Sequence, residues 1–195
     1  MVEGGEIKSL KDVVAGDMVL SVDNSGNHVF SEVITFLDRD FHSPARFLNI
    51  QLEDGSSLTV TPNHLLFSIS SQHYTKQSTY SHSSETFAGD LKVGDVLFTT
   101  SNSTTASRIS EITELTQNGF IAPLTENGMI VVDGVVSSCY ANYNSHFWSH
   151  VSMLPLRIYH SFARLFSVSR CPDIFGIHPY AQVLFDAASS FSLIH

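Results

Sequence analysis

Cysteine is scarce in this chain: Cys139 and Cys171 are its two cysteines among 195 residues. Two thiols do not make a disulfide framework, and no C-x-x-C pair offers a zinc knuckle. Positive charge is short as well. Ten Lys and Arg stand against nineteen Asp and Glu, a formal net charge of -9. With no basic stripe to follow a phosphate backbone, nucleic acid is not an expected partner. No apolar run reaches the length of a membrane span. The opening M-V-E-G-G-E-I lacks the basic and apolar regions of a secretory signal. Charged residues make up 15% of the chain and hydrophobic ones 43%, which is the composition of a globular protein and not of a disordered one.

The charge that is present is unevenly spread. From Ser145 to His195 there are three basic residues (Arg157, Arg164, Arg170) and two acidic ones (Asp173, Asp186), a net of +1. The rest of the chain therefore carries -10, and the last quarter is a distinct, nearly neutral, apolar tail.

An internal echo organises what precedes the tail. L-K-D-V-V-A-G-D-M-V-L-S (Leu10 to Ser21) matches A-G-D-L-K-V-G-D-V-L-F-T (Ala88 to Thr99). Each has Asp, an apolar residue, two more residues, Gly-Asp, then a strand-like run, and Gly-Asp is turn chemistry. Ser31 to Ile34 (S-E-V-I) is set beside Ser110 to Thr113 (S-E-I-T) at nearly the same offset. A looser third match sets T-P-N-H-L-L-F (Thr61 to Phe67) beside T-E-N-G-M-I-V (Thr125 to Val131). Collinear echoes of short strands predict a duplicated, pseudo-two-fold all-β domain over residues 1–142, with its repeat at about 7–67 and 85–134. Between the halves, Ser68 to Thr86 is rich in Ser, Thr and His and reads as an exposed, mobile loop in which His73 and His82 do no chemistry. Ser101 to Ser107 reads as a second such loop.

After Trp148 the apolar period changes. Leu154, Ile158, Phe162 and Leu165 recur at helical spacing, and Ile177, Tyr180, Leu184 and Phe191 follow in a second pattern. The tail over 145–195 is expected to hold two amphipathic helices. They either pack on the β domain or present an apolar surface to a lipid or membrane. His146 and His150 stand at i, i+4, but no third ligand accompanies them, so no metal is expected.

Three polar segments carry the chemistry: F-L-D-R-D (Phe36 to Asp40), T-P-N-H (Thr61 to His64) and S-S-C-Y-A (Ser137 to Ala141). Read alone, Thr61 closes a turn or holds a substrate, His64 is a satisfied buried histidine or a proton carrier, and Asp38 is a turn acid or a base. With the Gly-Asp repeats, H-F-W-S-H (His146 to His150) and G-I-H-P-Y-A-Q-V-L-F (Gly176 to Phe185), the ordered set resembles the C-terminal autoprocessing region of Hedgehog proteins. That region is a Hint domain, the fold shared with inteins, followed by a sterol-recognition tail.

The resemblance implies a two-step self-cleavage that splits one hard reaction into two easier ones. A cysteine converts the preceding peptide bond into a thioester, and the hydroxyl of cholesterol, a co-substrate and not a resident cofactor, then takes the acyl group. It implies that His64 is the general acid/base at the scissile amide and that Thr61 holds that amide. It further implies that Asp38 is the base for the sterol hydroxyl and that Cys139 is a neighbour of the active centre, either able to exchange disulfides with the nucleophile or a buried free thiol. Sterol contacts are expected from Leu154, Ile158, Phe162, Leu165 and Leu184. The implied partners are a sterol, an upstream signalling domain in cis and a membrane surface met by the tail, in the lumen of the secretory pathway and outside the cell. Splicing does not fit, because Ser138 precedes Cys139 where an intein has its terminal Asn. The family's nucleophile stands just ahead of the segment that V-E-G-G-E-I-K-S-L resembles, so it is missing from the chain as read. Three explanations remain: a fragment of an active precursor, a cleavage-dead relative that binds sterol or lipid, or a structural remnant without a ligand.

Overall fold

The two Gly-Asp segments share the same turns and the same bridge to a long strand. Each begins with a short 3₁₀ turn, η1 (Leu10–Asp12) and η3 (Ala88–Asp90). Each then makes a second turn, closed by the amide of Asp17 on the Val14 carbonyl (3.1 Å) and that of Asp95 on the Lys92 carbonyl (3.0 Å). Gly16 and Gly94 sit at the third turn position with φ of 95° and 94°, a region where a Cβ clashes with the following carbonyl oxygen. The Asp17 and Asp95 carboxylates accept the amides of Val14 (2.9 Å) and Lys92 (3.0 Å). A reciprocal bridge then fastens each turn to a long strand. Gly16 and Asp17 exchange bonds with Val33, and Gly94 and Asp95 with Ile109.

These are residues 1–101 and 103–141 of a computed structural model, the part of the chain the structure describes. They are all-β, as expected. Among the described residues there are nine strands: β1 (Met18–Val22), β2 (His28–Leu52), β3 (Ser57–Val60), β4 (His64–Ser68), β5 (Ser84–Phe87), β6 (Val96–Thr100), β7 (Thr104–Thr125), β8 (Met129–Val132) and β9 (Val135–Ala141). The antiparallel sheet runs β1-β2-β7-β6-β9-β4-β5, with β3 added to β2 and β8 to β9. The expected helical tail over 145–195, with Leu154, Ile158, Phe162, Leu165 and Leu184, lies outside the described residues, as do Cys171, His146 and His150. Among the described residues no helix is long and apolar enough to cross a membrane.

β2 and β7 are 25 and 22 residues long, far beyond an ordinary strand of ~5–6 residues. They pair with each other along most of their length, broken by register shifts at Val33/Thr35, Phe36/Asp38, Asp40/Pro44 and Gln51/Leu52. Each shift bends the ribbon and raises its twist. One strand can thus serve two parts of the fold: β2 pairs with β1 through its first residues and with β3 through its last.

Three expectations need correction. The counterpart of Ser31–Ile34 is not Ser110–Thr113. The turn bridges equate Val33 with Ile109, and Ser31 therefore corresponds to Ser107. An offset wrong by three is odd, so it would put the wrong face of the strand into the core; Val33 and Ile109 are both buried, as are Ser31 and Ser107. The Ser68 to Thr86 segment is not simply an exposed loop. It contains the 3₁₀ turn η2 (Tyr80–His82) and part of β5, and Tyr80 is a core residue with its ring centroid 5.4 Å from that of Phe67 and 5.3 Å from that of Phe98. One aromatic anchors a window whose average composition is polar. Likewise Thr104 to Ser107 are not loop but the first residues of β7, paired with β6.

Three clusters make the core. One joins Leu48, Ile50, Leu58, Leu66, Leu97 and Ile109, and another joins Val22, Tyr80, Val96, Phe98 and Met129. The third gathers Val13, Val33, Phe36, Leu65, Leu124, Cys139 and Tyr140, with Leu37 and Ile121 against it. It takes in Leu65, next to the T-P-N-H turn, and Cys139 and Tyr140 of the S-S-C-Y-A segment.

Candidate functional site

Thr61 to His64 is the tight turn between β3 and β4. Proline at its second position presets φ for such a turn, and the His64 amide closes it on the Thr61 carbonyl at 3.0 Å. The matching turn of the other half closes with the Gly128 amide on the Thr125 carbonyl at 3.2 Å, so the looser third echo corresponds to a real equivalence in which Gly128 stands where His64 does. The turn is buttressed by η3: the Gly89 amide donates to the Pro62 carbonyl at 2.8 Å. A Cβ on Gly89 would lie 3.3 Å from that same oxygen, so a side chain there would press on the turn by a few tenths of an ångström.

His64 opens β4, and its ring reaches β9. Nε2 lies 2.9 Å from the Ser138 carbonyl oxygen. A carbonyl only accepts, so Nε2 carries the hydrogen and Nδ1 carries the lone pair. The ring keeps some surface open to solvent while protein packs densely around it. Burial lowers its pKa below the ordinary 6.5, and the bond to Ser138 opposes that shift only in part. His64 is therefore a neutral imidazole at neutral pH, with its tautomer set by a backbone partner.

The carbonyl is aimed by a bulge. β4 and β9 pair at His64–Ala141 and again at Leu66–Ser137. One residue on β4 thus faces three on β9: Ser138, Cys139 and Tyr140. Bulges of this kind redirect groups next to active sites. Two bonds and one strand pairing hold this one. The Cys139 amide donates to Gly128 (2.8 Å), the Tyr140 amide to the Ser138 hydroxyl (3.0 Å), and β8 pairs Met129 with Ser138.

Cys139 is 4% exposed, inside the cluster with Leu65 and Phe36. Its sulfur is 3.3 Å from the Thr125 hydroxyl, which itself donates to the Met129 carbonyl at 2.9 Å. The hydroxyl's hydrogen is thereby committed, so the thiol donates to Thr125. A thiol enclosed in this way is a core residue beside the site and is poorly placed for attack on a substrate.

Asp38 lies on β2 opposite Ala122, just after the one-residue bulge at Leu37. It is half-buried. Desolvation raises its pKa above 3.8; the Arg39 backbone amide opposes this and the Asp40 charge adds to it. Asp40 behaves in the opposite way. The Ser43 hydroxyl and the His42 and Ser43 amides hold its carboxyl down at about 2. The structure thus brings Thr61, His64 and the Cys139 segment together directly. No hydrogen bond or ion pair joins Asp38 to His64. Its link to that group runs through the core, where its neighbours Phe36 and Leu37 pack with Leu65 and Cys139. Sequence reasoning missed the Ser138 carbonyl and Gly89, although both stand in segments it had singled out.

The sequence profile of the Hint module family matches residues 1–192. Tiggy-winkle hedgehog protein of Danio rerio is 34% identical over 195 aligned residues, which cover 95% of this chain and 45% of that protein. Indian hedgehog B protein of Danio rerio is also 34% identical, over 184 residues, 92% of this chain and 44% of that protein. The chain thus spans less than half the length of the curated relatives it matches. The crystal structure of the PabCDC21-1 intein superposes with a TM-score of 0.56 at 15% identity, covering 73% of this chain and 94% of that one, a likeness of fold alone. A duplicated all-β fold, a profile match over nearly the whole chain and hedgehog relatives along its length lead to one conclusion: the chain belongs to the Hint module family and is a Hint module of the Hedgehog type.

Proposed function

We propose that this module performs an intramolecular acyl transfer: it cleaves the peptide bond ahead of the Hint block through a thioester and passes the upstream fragment to a sterol. The observation that carries this reading is His64, a neutral imidazole with Nε2–H engaged by Ser138, on the same turn as Thr61. In the first step Nδ1 takes the proton of the attacking thiol. The sulfur adds to the carbonyl carbon, the carbon–nitrogen bond breaks, and the imidazolium returns its proton to the departing amine. A lowered pKa suits the return, because an imidazolium disfavoured by burial is a stronger acid. A placed acid/base of this kind is worth ~10²–10⁴ in rate. Thr61 holds the amide against His64. In the second step the sterol oxygen attacks the thioester, Asp38 takes its proton, and the thiolate leaves.

The reaction needs a thiol on the residue after the scissile carbonyl, and Cys139, buried and bonded to Thr125, is not placed to supply it. The sterol is the co-substrate; the partners are an upstream signalling domain in cis and a membrane surface met through the tail. The compartment is the secretory pathway, continuing outside the cell. The test places Gly-Cys-Phe and a reporter ahead of residue 1 and follows release with dithiothreitol and with cholesterol. Release by both agents is expected, with His64→Ala abolishing both and Asp38→Ala losing the cholesterol product alone. A reporter that stays attached under both agents, on a folded chain, would refute the reading. Saturable sterol binding without release would then favour a cleavage-dead binding module.

A further inference from the structure

The D-R-D triplet at residues 38–40 places two acids and one base in regular β register, opposite Ala122, Ile121 and Phe120. Alternation therefore turns Asp38 and Asp40 to one face and Arg39 to the other. Arg39 is only 9% exposed, an unusual position for a cation. Its guanidinium Nη2 donates to the Lys11 carbonyl at 2.8 Å, with the Val13 carbonyl at 3.4 Å. Both carbonyls belong to η1 and the residue after it. The same group lies over two rings, 4.4 Å from the Phe36 centroid and 5.5 Å from the Phe41 centroid. Phe36 precedes the Leu37 bulge, and Phe41 belongs to the wider irregularity between Asp40 and Pro44. The guanidinium therefore bridges the two breaks in the ladder that flank Asp38, and it ties both to the η1 turn.

We infer that Arg39 is a positioning residue for the second, sterol-accepting step: by clamping both bulges to the η1 turn it sets the direction in which Asp38 projects. The inference rests on the proposed role of Asp38 as the sterol base. A planar fork that donates to carbonyls while stacking on two rings is a task for arginine and not for lysine. The His64 turn is buttressed separately, by Gly89 of η3 on Pro62. The two halves of the repeat thus give each functional segment its own support, and damage to one support should leave the other step intact.

The test uses Arg39→Lys, which keeps the charge and loses the fork. In the reporter chain bearing Gly-Cys-Phe, cholesterol-dependent release is expected to fall about 10- to 100-fold, the scale of a catalytic group displaced by about 1 Å, while thiol-induced release stays within about twofold. In the chain of residues 1–195, carbon-13 titration of the Asp38 carboxyl is expected to show its raised pKa moving back toward 3.8 in the variant, as the side chain gains water. Parallel loss of both releases, or no loss of either, overturns the inference, as does an unchanged Asp38 titration. If the unmutated reporter chain gives no sterol product, the functional reading fails, and the titration still decides whether Arg39 orients Asp38. Should Arg39→Lys lose its fold, Phe41→Leu removes one of the two rings and is held to the same outcomes.

Discussion

Leu65 and Leu66 are adjacent on β4, and both are almost wholly buried, at 2% and 0% exposure. They enter different clusters. Leu65 packs with Val13, Phe36, Leu124, Cys139 and Tyr140 beneath the candidate site. Leu66 packs with Ile50, Leu58, Leu97 and Ile109 on the other face. Truncating either to alanine removes the equivalent of three methylene groups, about 2.4 kcal/mol at ~0.8 each, and leaves a cavity that adds to it. The expected destabilisation is about 3 kcal/mol for each variant, within the ~2–5 kcal/mol of buried leucine truncations. Against a typical stability of ~5–15 kcal/mol both variants stay folded. Stability is the control and site geometry the question. Leu65 faces the three-residue bulge that aims Ser138 at His64, so Leu65→Ala loosens that bulge and Leu66→Ala does not. Urea denaturation gives the two free energies, and thiol-induced release from the reporter chain gives the two rates. Equal destabilisation is expected, with release from Leu65→Ala at least about tenfold slower, on the scale by which small misplacements slow catalysis. If both variants release at the same rate, the coupling between this cluster and the site is wrong.

Further predictions follow from single positions. Because burial lowers the His64 pKa below 6.5, the unfolded chain binds the proton first as pH falls. Stability therefore drops as pH falls below 6.5 toward the folded pKa, and His64→Gln should flatten that part of a stability-against-pH curve. Gly16→Ala and Gly94→Ala force φ near 95° on a residue with a Cβ, so each should cost about 1–2 kcal/mol; thermal melts that separate the two widely would contradict the equivalence of the turns. Gly89→Val drives branched atoms toward the Pro62 oxygen, already 3.3 Å from a bare Cβ. It should slow thiol-induced release more than Gly89→Ala does, as measured on the same reporter.

What was legible in the sequence was what is decided locally. The Gly-Asp turns could be read because a positive φ selects glycine and a short acid closes the turn on its own backbone, whatever surrounds it. The T-P-N-H turn was legible for a similar reason, since proline presets its second position. The all-β class followed from the repeated strand-like runs. Nonlocal features were hidden. The β9 bulge lies where β8 stops pairing at Ser138 and β4 resumes only at Ala141, and neither limit is written in S-S-C-Y-A. Tyr80 is buried because Phe67, Phe98 and Gly26 converge on it; a Cβ on Gly26 would lie 2.8 Å from its own. The S-E-V-I echo misled because Ser and Glu recur at many strand edges, and only the turn bridges show which serine answers Ser31. The roles of Thr61, His64 and Asp38 came from family resemblance. The structure adds the tautomer of His64, its backbone partner and the supports on either side.

The most direct measurement is the intact mass of the fragment released from the reporter chain carrying Gly-Cys-Phe, after incubation with cholesterol and no added thiol. The account predicts a fragment heavier than its free acid by one cholesterol less one water, formed once per chain and absent from His64→Ala and Asp38→Ala. A fragment released only as the free acid, or formed as fast without Asp38, would contradict the two-step transfer.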